Sequence, residues 1–287
     1  MKKTTCLIIF FLLIGLLCSC EAESHSANSD KYSIQICGYT DSIPGVDCEV
    51  EYEKWTGKSY YDSKADKNIT IVVDGTTINA TYLESKVQSP NCYATHMYMD
   101  DENNIFSVSS DGKLTSFFWG NSEIKGDTKL TEEEYVGIAK KFLSTIGDVT
   151  HYNVEVNINK VANTYDVKFT KFVNETETVD TATVSVNQDG SLYSYSSFMF
   201  GQISEDVKTN FDMDAVSKQV ETRLNEIYGN VAENYDEFKY ENIEYTLTKT
   251  DKGKYALFCS AEIKGIHHQG EYNVVQSGRI RFIIMEE

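Results

Sequence analysis

The frame apolar-Ser-Val-x-x-Asp-Gly-x-Leu-x-Ser-aromatic occurs twice in this chain, and no other feature limits its fold so tightly. Phe106-Ser-Val-Ser-Ser-Asp111-Gly112-Lys-Leu114-Thr-Ser116-Phe117 matches Val184-Ser-Val-Asn-Gln-Asp189-Gly190-Ser-Leu192-Tyr-Ser194-Tyr195. Asp-Gly between alternating segments signals a β-hairpin, and a type I′ turn requires positive φ at both central residues. A weaker third copy runs from Val274 to Phe282, with Ser277-Gly278 in the turn position and Ile280 in place of the leucine. Repeated hairpins commit the chain to antiparallel sheet. Only 2 prolines and as many as 19 tyrosines agree with that bias.

Helices alternate with the hairpins. Thr131 followed by Glu134 forms a capping box, and Tyr135, Ile138, Ala139, Phe142, Leu143 and Ile146 make one apolar stripe ending at Gly147. A second helix is expected from the cap Asp212 to Gly229, with Met213, Val216, Val220, Leu224 and Ile227 on its stripe. The exits match, Gly147-Asp-Val149 against Gly229-Asn-Val231. The expected fold is therefore α+β: tandem antiparallel β-sheet units, each full unit with one helix packed on one sheet face. Full units are placed at 127–201 and 202–287, after a strand-only unit at 67–126 and a weakly patterned segment at 20–66. One helical stripe covers one sheet face, so the other face meets water, a second unit or a partner.

These units resemble the PepSY and YcdB/YcdC-type repeats of secreted and cell-surface bacterial proteins. The likeness rests on the helix Glu132–Ile146, the strands Tyr152–Asn159 and Tyr165–Phe172, and the return Asp180–Gly201 around Asp189-Gly190. It covers the first full unit well, the second loosely, and the region before Asp127 only through the Asp111-Gly112 hairpin. The resemblance implies a small α+β domain that modulates peptidases or binds proteins outside the cytoplasm. It carries over no catalytic residue. Some such domains precede a peptidase domain, and none is expected to follow here.

The first residues read as an address. Lys2 and Lys3 precede the apolar run Leu7–Leu17, which ends in Leu17-Cys18-Ser19-Cys20. That ending resembles the lipobox of bacterial lipoproteins, with residues 1–19 as signal peptide and Cys20 as the lipid-bearing, palmitate-type anchor. The expected location is the extracytoplasmic face of the cell membrane, with Glu21–Asp30 as tether. A net charge of −18 repels nucleic acid and anionic headgroups, so no nucleic-acid partner is expected and the lipid must do the anchoring. Outside the cytoplasm disulfides can form, and Cys37–Cys48 would close a short loop around Pro44-Gly45. Cys92 and Cys259 read as small buried residues.

A search for chemistry yields little. The chain has no His-Glu-x-x-His, no Gly-x-Ser-x-Gly and no Walker loop. Ser122-Glu-Ile-Lys125 fits the Ser-x-x-Lys pattern but sits in a polar linker without its companion motifs. His267-His268, near Glu262 and Glu271, would grip one ion only from a turn, because adjacent strand residues point to opposite faces. His96 and His151 stand alone. Asp100-Asp101-Glu102-Asn103-Asn104 lacks the turn glycine and distal glutamate of a calcium loop and reads as a solvated turn. Glu132-Glu133-Glu134 suits the positive end of a helix dipole. Tyr193 and Tyr195 would share a tyrosine-bearing sheet face, suited to protein or sugar or simply to cross-strand pairing.

The reading is a non-enzymatic, lipid-anchored protein-binding or regulatory module with no metal, no cofactor and no catalytic residue. Its partner is expected to be another envelope protein. The rivals are an envelope hydrolase using carboxylates from separate strands, and a glycan- or solute-binding lipoprotein.

Overall fold

The computed structural model describes residues 31–40, 43–52, 59–88, 93–120, 130–207, 211–250, 252–270 and 272–287. The leader, Cys20, the tether, Cys92, Ser122–Lys125 and Glu271 lie outside the described residues. The described chain is mostly β, with β1 (Tyr32–Thr40), β2 (Ser59–Tyr60), β3 (Asn68–Val73), β4 (Thr76–Gln88), β5 (Tyr93–Met99), β6 (Ile105–Ser109) and β7 (Leu114–Phe118) preceding helix α1 (Glu132–Leu143). Then come β8 (Tyr152–Asn159), β9 (Thr164–Val173), β10 (Thr176–Asn187), β11 (Leu192–Phe198), helix α2 (Met213–Ala232), β12 (Glu237–Lys249), β13 (Tyr255–Gln269) and β14 (Tyr272–Glu286).

Helix α1 forms where its cap dictates. The Thr131 hydroxyl accepts from the Glu134 N–H, and the Glu134 carboxylate accepts from the Thr131 N–H at 2.7 Å. Tyr135, Ala139, Phe142 and Leu143 are its buried stripe. The helix gives way to a turn after Leu143, and Gly147 closes that turn by donating to the Leu143 carbonyl at 2.9 Å. A Cβ on Gly147 would meet the Phe200 ring at 2.7 Å, so close approach fixes that residue as glycine. Helix α2 begins at Asp212, as expected, but runs through Gly229 to Ala232. Tyr228 and Val231 are both buried there, and that burial outweighs the roughly 1 kcal/mol that a helical glycine costs.

Two cores organise the strands. Around α1, Val73, Tyr98, Phe106 and Phe117 pack together with Val167, Ala182, Val184 and Tyr195. The strand-only segment thus shares one core with the first full unit, and the boundary expected at 126/127 separates no hydrophobic interior. Around α2, Leu247, Leu257, Ile263, Ile280 and Phe282 form the second core, joined by Tyr32 and Ile36 of β1. Strand β1 pairs antiparallel with β14, from Tyr32↔Glu286 to Thr40↔Arg279. Part of the weakly patterned N-terminal segment is therefore the fourth strand of the C-terminal unit.

Hydrogen-bonded order is β8-β9-β10-β11-β7-β6-β5-β4 around α1, with β2 and β3 beside β4, and β12-β13-β14-β1 under α2. The two stretches meet through one parallel bridge, Thr178↔Leu247.

The Asp-Gly hairpins are present, with a different turn. Gly112 and Gly190 have φ of 84° and 88°, but Asp111 and Asp189 are not among the residues with positive φ. Gly112 N–H donates to Ser109 O, and Ser109 N–H to Lys113 O; Asn187, Gly190 and Ser191 repeat the pattern. This is a three-residue loop, a type I turn followed by a left-handed residue and a bulge. The same hydrogen bonds recur at Asp100–Asn104, with Asn103 at φ 64°, and at Thr250–Lys254, with Gly253 at 74°. The type I′ geometry occurs instead at Asp74-Gly75, with φ of 47° and 76°, between the paired Val73 and Thr76.

The third copy expected at Ser277-Gly278 is overturned. Gly278 lies inside β14 opposite Ile263, and Ser277 lies opposite Lys264. Ile280, Phe282 and Ile284 are opposite Ala261, Cys259 and Leu257, all buried, and that match sets the register.

Candidate functional site

The bulges decide which side chains reach the core. Pairing between β10 and β11 shifts at Val186↔Leu192, which leaves Tyr193 as the extra residue. Tyr195 consequently points inward, edge-on to Phe142 at 5.2 Å, while Tyr193 meets the half-exposed Phe118 at 5.4 Å. The shared tyrosine face expected from strict alternation does not form.

Other residues of interest from the sequence are engaged locally. His267 stacks on Tyr235 at 4.6 Å, whereas His268 Nδ1 contacts Asn273 Oδ1 at 2.8 Å and its Nε2 lies 3.2 Å from Glu237. The two rings do not converge. The Asp100 carboxylate accepts from the N–H groups of Glu102 and Asn104 and from the Asn104 amide, so it serves its own turn. Ser85 and His96 are cross-strand neighbours, with Ser85 Oγ 2.7 Å from His96 Nδ1 and 2.7 Å from Tyr82 Oη. This resembles a nucleophile and its base, but Ser85 is 0% exposed, out of reach of any substrate. Cys37 packs with Ala256 and Ile283, while Cys48 belongs to the α2 core with Phe282 and Ile284. The two side chains thus sit in different hydrophobic clusters. Cys259 is buried as expected, and burial pushes its thiol up to about 12.

Two cavities open where α1 ends. The larger, about 490 Å³, is mostly apolar and lies between Ile69–Val72 of β3, Val108, Leu114 and Ile146. The smaller, about 310 Å³, is polar and is lined by Ser109, Asp148, His151, Tyr152, Lys171, Ser197 and Glu205. Lys113, Leu114 and Ile146 border both. The volumes lie in the range of small-ligand and peptide pockets.

Among the described residues β3 pairs only with β4, so the wall of the apolar cavity is a strand edge. Val73 and Thr76 flank a two-residue turn, so Val73, Ile71 and Ile69 exchange hydrogen bonds with β4 and the backbone groups of Thr70 and Val72 point away from it. Inward, Ile71 and Val73 are buried; outward, Val72 is 63% exposed. Asn68–Val73 carries no charge or proline to blunt that edge.

Behind the Tyr152 wall of the polar cavity lies a buried carboxylate. Asp180 is 0% exposed and accepts from Tyr152 Oη at 2.5 Å, from the Gly201 N–H at 3.0 Å and from the Ile203 N–H at 3.1 Å. Burial raises its pKa against the opposing pull of those bonds, and burial likewise raises that of Tyr152. The clamp holds residues 199–203, the link from β11 toward α2, where Met199 has φ 49° and Lys249 Nζ donates to Gln202 O at 2.7 Å. Sealed behind Tyr152, Asp180 holds structure rather than substrate. Above it, Lys171 is 8% exposed, its ammonium 5.8 Å from the Tyr152 ring centre and 3.7 Å from the half-exposed Glu205 carboxylate. That separation exceeds a hydrogen bond, and among the described residues its ammonium donates none.

Comparison with known proteins bears on the segment around α1. No curated protein matches the chain. The solved C-terminal domain of Bacillus megaterium YpeB aligns at 13% identity over 69% of this chain and 88% of that one, with a TM-score of 0.34. The family model of the YcdB, YcdC repeated domain matches residues 63–199. The matched segment spans β3 to β11 with α1, the strands that enclose the first core and its two cavities, and is similar over that length to the YcdB, YcdC repeated domain.

Proposed function

We propose that the protein is a lipid-anchored, extracytoplasmic binding module that takes an extended segment of an envelope protein against the open edge of β3. It acts without turnover. Strand addition to a free edge supplies main-chain hydrogen bonds, and an adjoining pocket supplies side-chain selectivity. The observation that carries the reading is the uncharged β3 edge, with the N–H and C=O of Thr70 and Val72 turned outward along the apolar cavity. The likeness of this segment to PepSY-type repeats favours a peptidase as the partner. Cys20 would tether the module to the membrane.

A photocrosslinker replacing Val72 in the full-length protein tests this in cells. A discrete adduct is expected, lost when Thr70→Pro removes the outward N–H, and lost from the membrane fraction with Cys20→Ala. An adduct indifferent to Thr70→Pro refutes edge docking. Reproducible hydrolysis of peptide, ester or glycoside panels that disappears on substituting one carboxylate refutes the non-enzymatic reading.

A further inference from the structure

The two cavities differ in chemistry but share a border, and that juxtaposition identifies the segment that fits them. An extended chain paired with β3 lays alternate side chains into the apolar cavity between Val108, Leu114 and Ile146. Past Lys113 it meets the polar cavity, whose nearly buried cation is Lys171. Its ammonium faces that cavity with three N–H donors. The nearest acid, Glu205 at 3.7 Å, is 51% exposed at its side chain and shared with His151 at 3.9 Å. Asp180 and Asp148 contribute at longer range, but Asp180 is committed to Tyr152, Gly201 and Ile203, and Asp148 to the Thr150 N–H and hydroxyl. Among the described residues the ammonium therefore has no protein acceptor within hydrogen-bond distance.

We propose that the groove captures the free C-terminus of a partner polypeptide, with the terminal α-carboxylate on Lys171 and the preceding apolar residues along β3. This rests on the edge-docking reading and names the part of the partner that docks. A terminal carboxylate brings two acceptor oxygens into direct contact with that ammonium, displaces Glu205 into solvent, and fixes the register of the added strand. An amide end brings one neutral acceptor and leaves the charge contact unmade. A charge-assisted bond of this kind changes affinity roughly ten- to a hundredfold.

The test uses the full chain in detergent micelles and three fluorescein-labelled hexapeptide pools, with Val, Ile or Leu at alternate positions. One pool ends in a free carboxylate, one in a carboxamide, and one in Asp-carboxamide. Anisotropy is expected to show the free-acid pool binding at least about tenfold more tightly than either amide pool. Lys171→Met should bring it down to the carboxamide level, and Lys171→Arg should restore part of the difference. Glu205→Gln should tighten binding by removing the competitor. Lys171 Nζ resonances in the unsubstituted protein should shift with the free-acid pool alone, which keeps the test independent of how the variants fold.

Equal binding of acid and carboxamide pools overturns the proposal, as does no binding by any pool at about 1 mM. Equivalent binding of the Asp-carboxamide pool overturns the terminal assignment, because a side-chain carboxylate then suffices. A Val72 adduct in cells that persists under any of these results leaves edge docking standing and removes only the terminal carboxylate. Loss of the adduct's dependence on Thr70→Pro would remove both.

Discussion

Replacing Asp180 by alanine should cost about 3 kcal/mol, and the size follows from the donors it would strand. Tyr152 Oη and the Ile203 N–H are buried and lose their acceptor. The Gly201 N–H retains Tyr152 Oη at 3.2 Å. Two orphaned buried donors at about 1–3 kcal/mol each give roughly 2–6, partly offset by no longer burying a carboxylate. Asp180→Asn keeps one acceptor oxygen and should cost about 1 kcal/mol. Tyr152→Phe removes a single donor and should cost about 1–2. The double variant Asp180→Ala/Tyr152→Phe should fall short of the sum by about 1 kcal/mol, because the phenol orphaned by the first change is absent in the second.

Urea denaturation of each variant supplies all four values. The pH dependence adds a sign. Burial raises the folded-state pKa of Asp180, so the folded protein holds this proton more tightly than the unfolded chain does. Its stabilising contribution is complete below the ordinary carboxyl value of about 4 and is lost as pH rises through the raised folded value. The cost of Asp180→Asn should therefore be largest in acid and shrink toward neutrality. An Asp180→Ala loss below about 1 kcal/mol, or strict additivity with Tyr152→Phe, would show that the clamp holds nothing.

Two other positions give equally direct tests. Gly190→Val should destabilise by about 2–4 kcal/mol, since φ is 88° there and a Cβ would lie 3.1 Å from Leu130 and 3.2 Å from Ile138 of α1; Gly112→Val, with open space at its Cβ, should cost only the backbone strain of about 1–2. Thermal melts of the pair would settle this, and equal losses would contradict the close approach of turn and helix. Cys259, with its thiol pushed up to about 12 and no exposed surface, should stay unmodified by iodoacetamide at pH 8 until urea unfolds the protein; labelling at the rate of a surface thiol would contradict its burial.

Elements specified by their own residues were legible. Thr131 with Glu134, and Asp111-Gly112 with Asp189-Gly190, state a helix start and two hairpins within four residues each. Failures came where a distant partner decides. Ser277-Gly278 reads as a turn in isolation, yet its register is set by Ala261, Cys259 and Leu257 on β13. Strict alternation puts Tyr193 on one face with Tyr195, and one bulged residue breaks it. The clamp left a signal that was missed: Thr178, Asp180, Ala182, Val184 and Val186 share one parity, and all are buried. A carboxylate on the inward parity of a strand announces a buried partner. Lys171 left no such mark, because its setting depends on Tyr152 and Glu205, brought together by β8 and the link after β11.

The pairing of β1 with β14 gives the fold an order of assembly. Tyr32 lies opposite Glu286, so this contact closes nearly the whole length of the described chain. Contacts of such separation form last, because the loop entropy is lost before the contact contributes. Strand β1 leaves the ribosome before β14 and must wait, with Tyr32, Ile34 and Ile36 uncovered, until β14 arrives. Through that interval the free edge and apolar face of β1 are open to other chains, and a chaperone would have to shield them. A premature stop before β14 would strand β1 as well, so a lesion at one end of the chain would be felt as unfolding at the other.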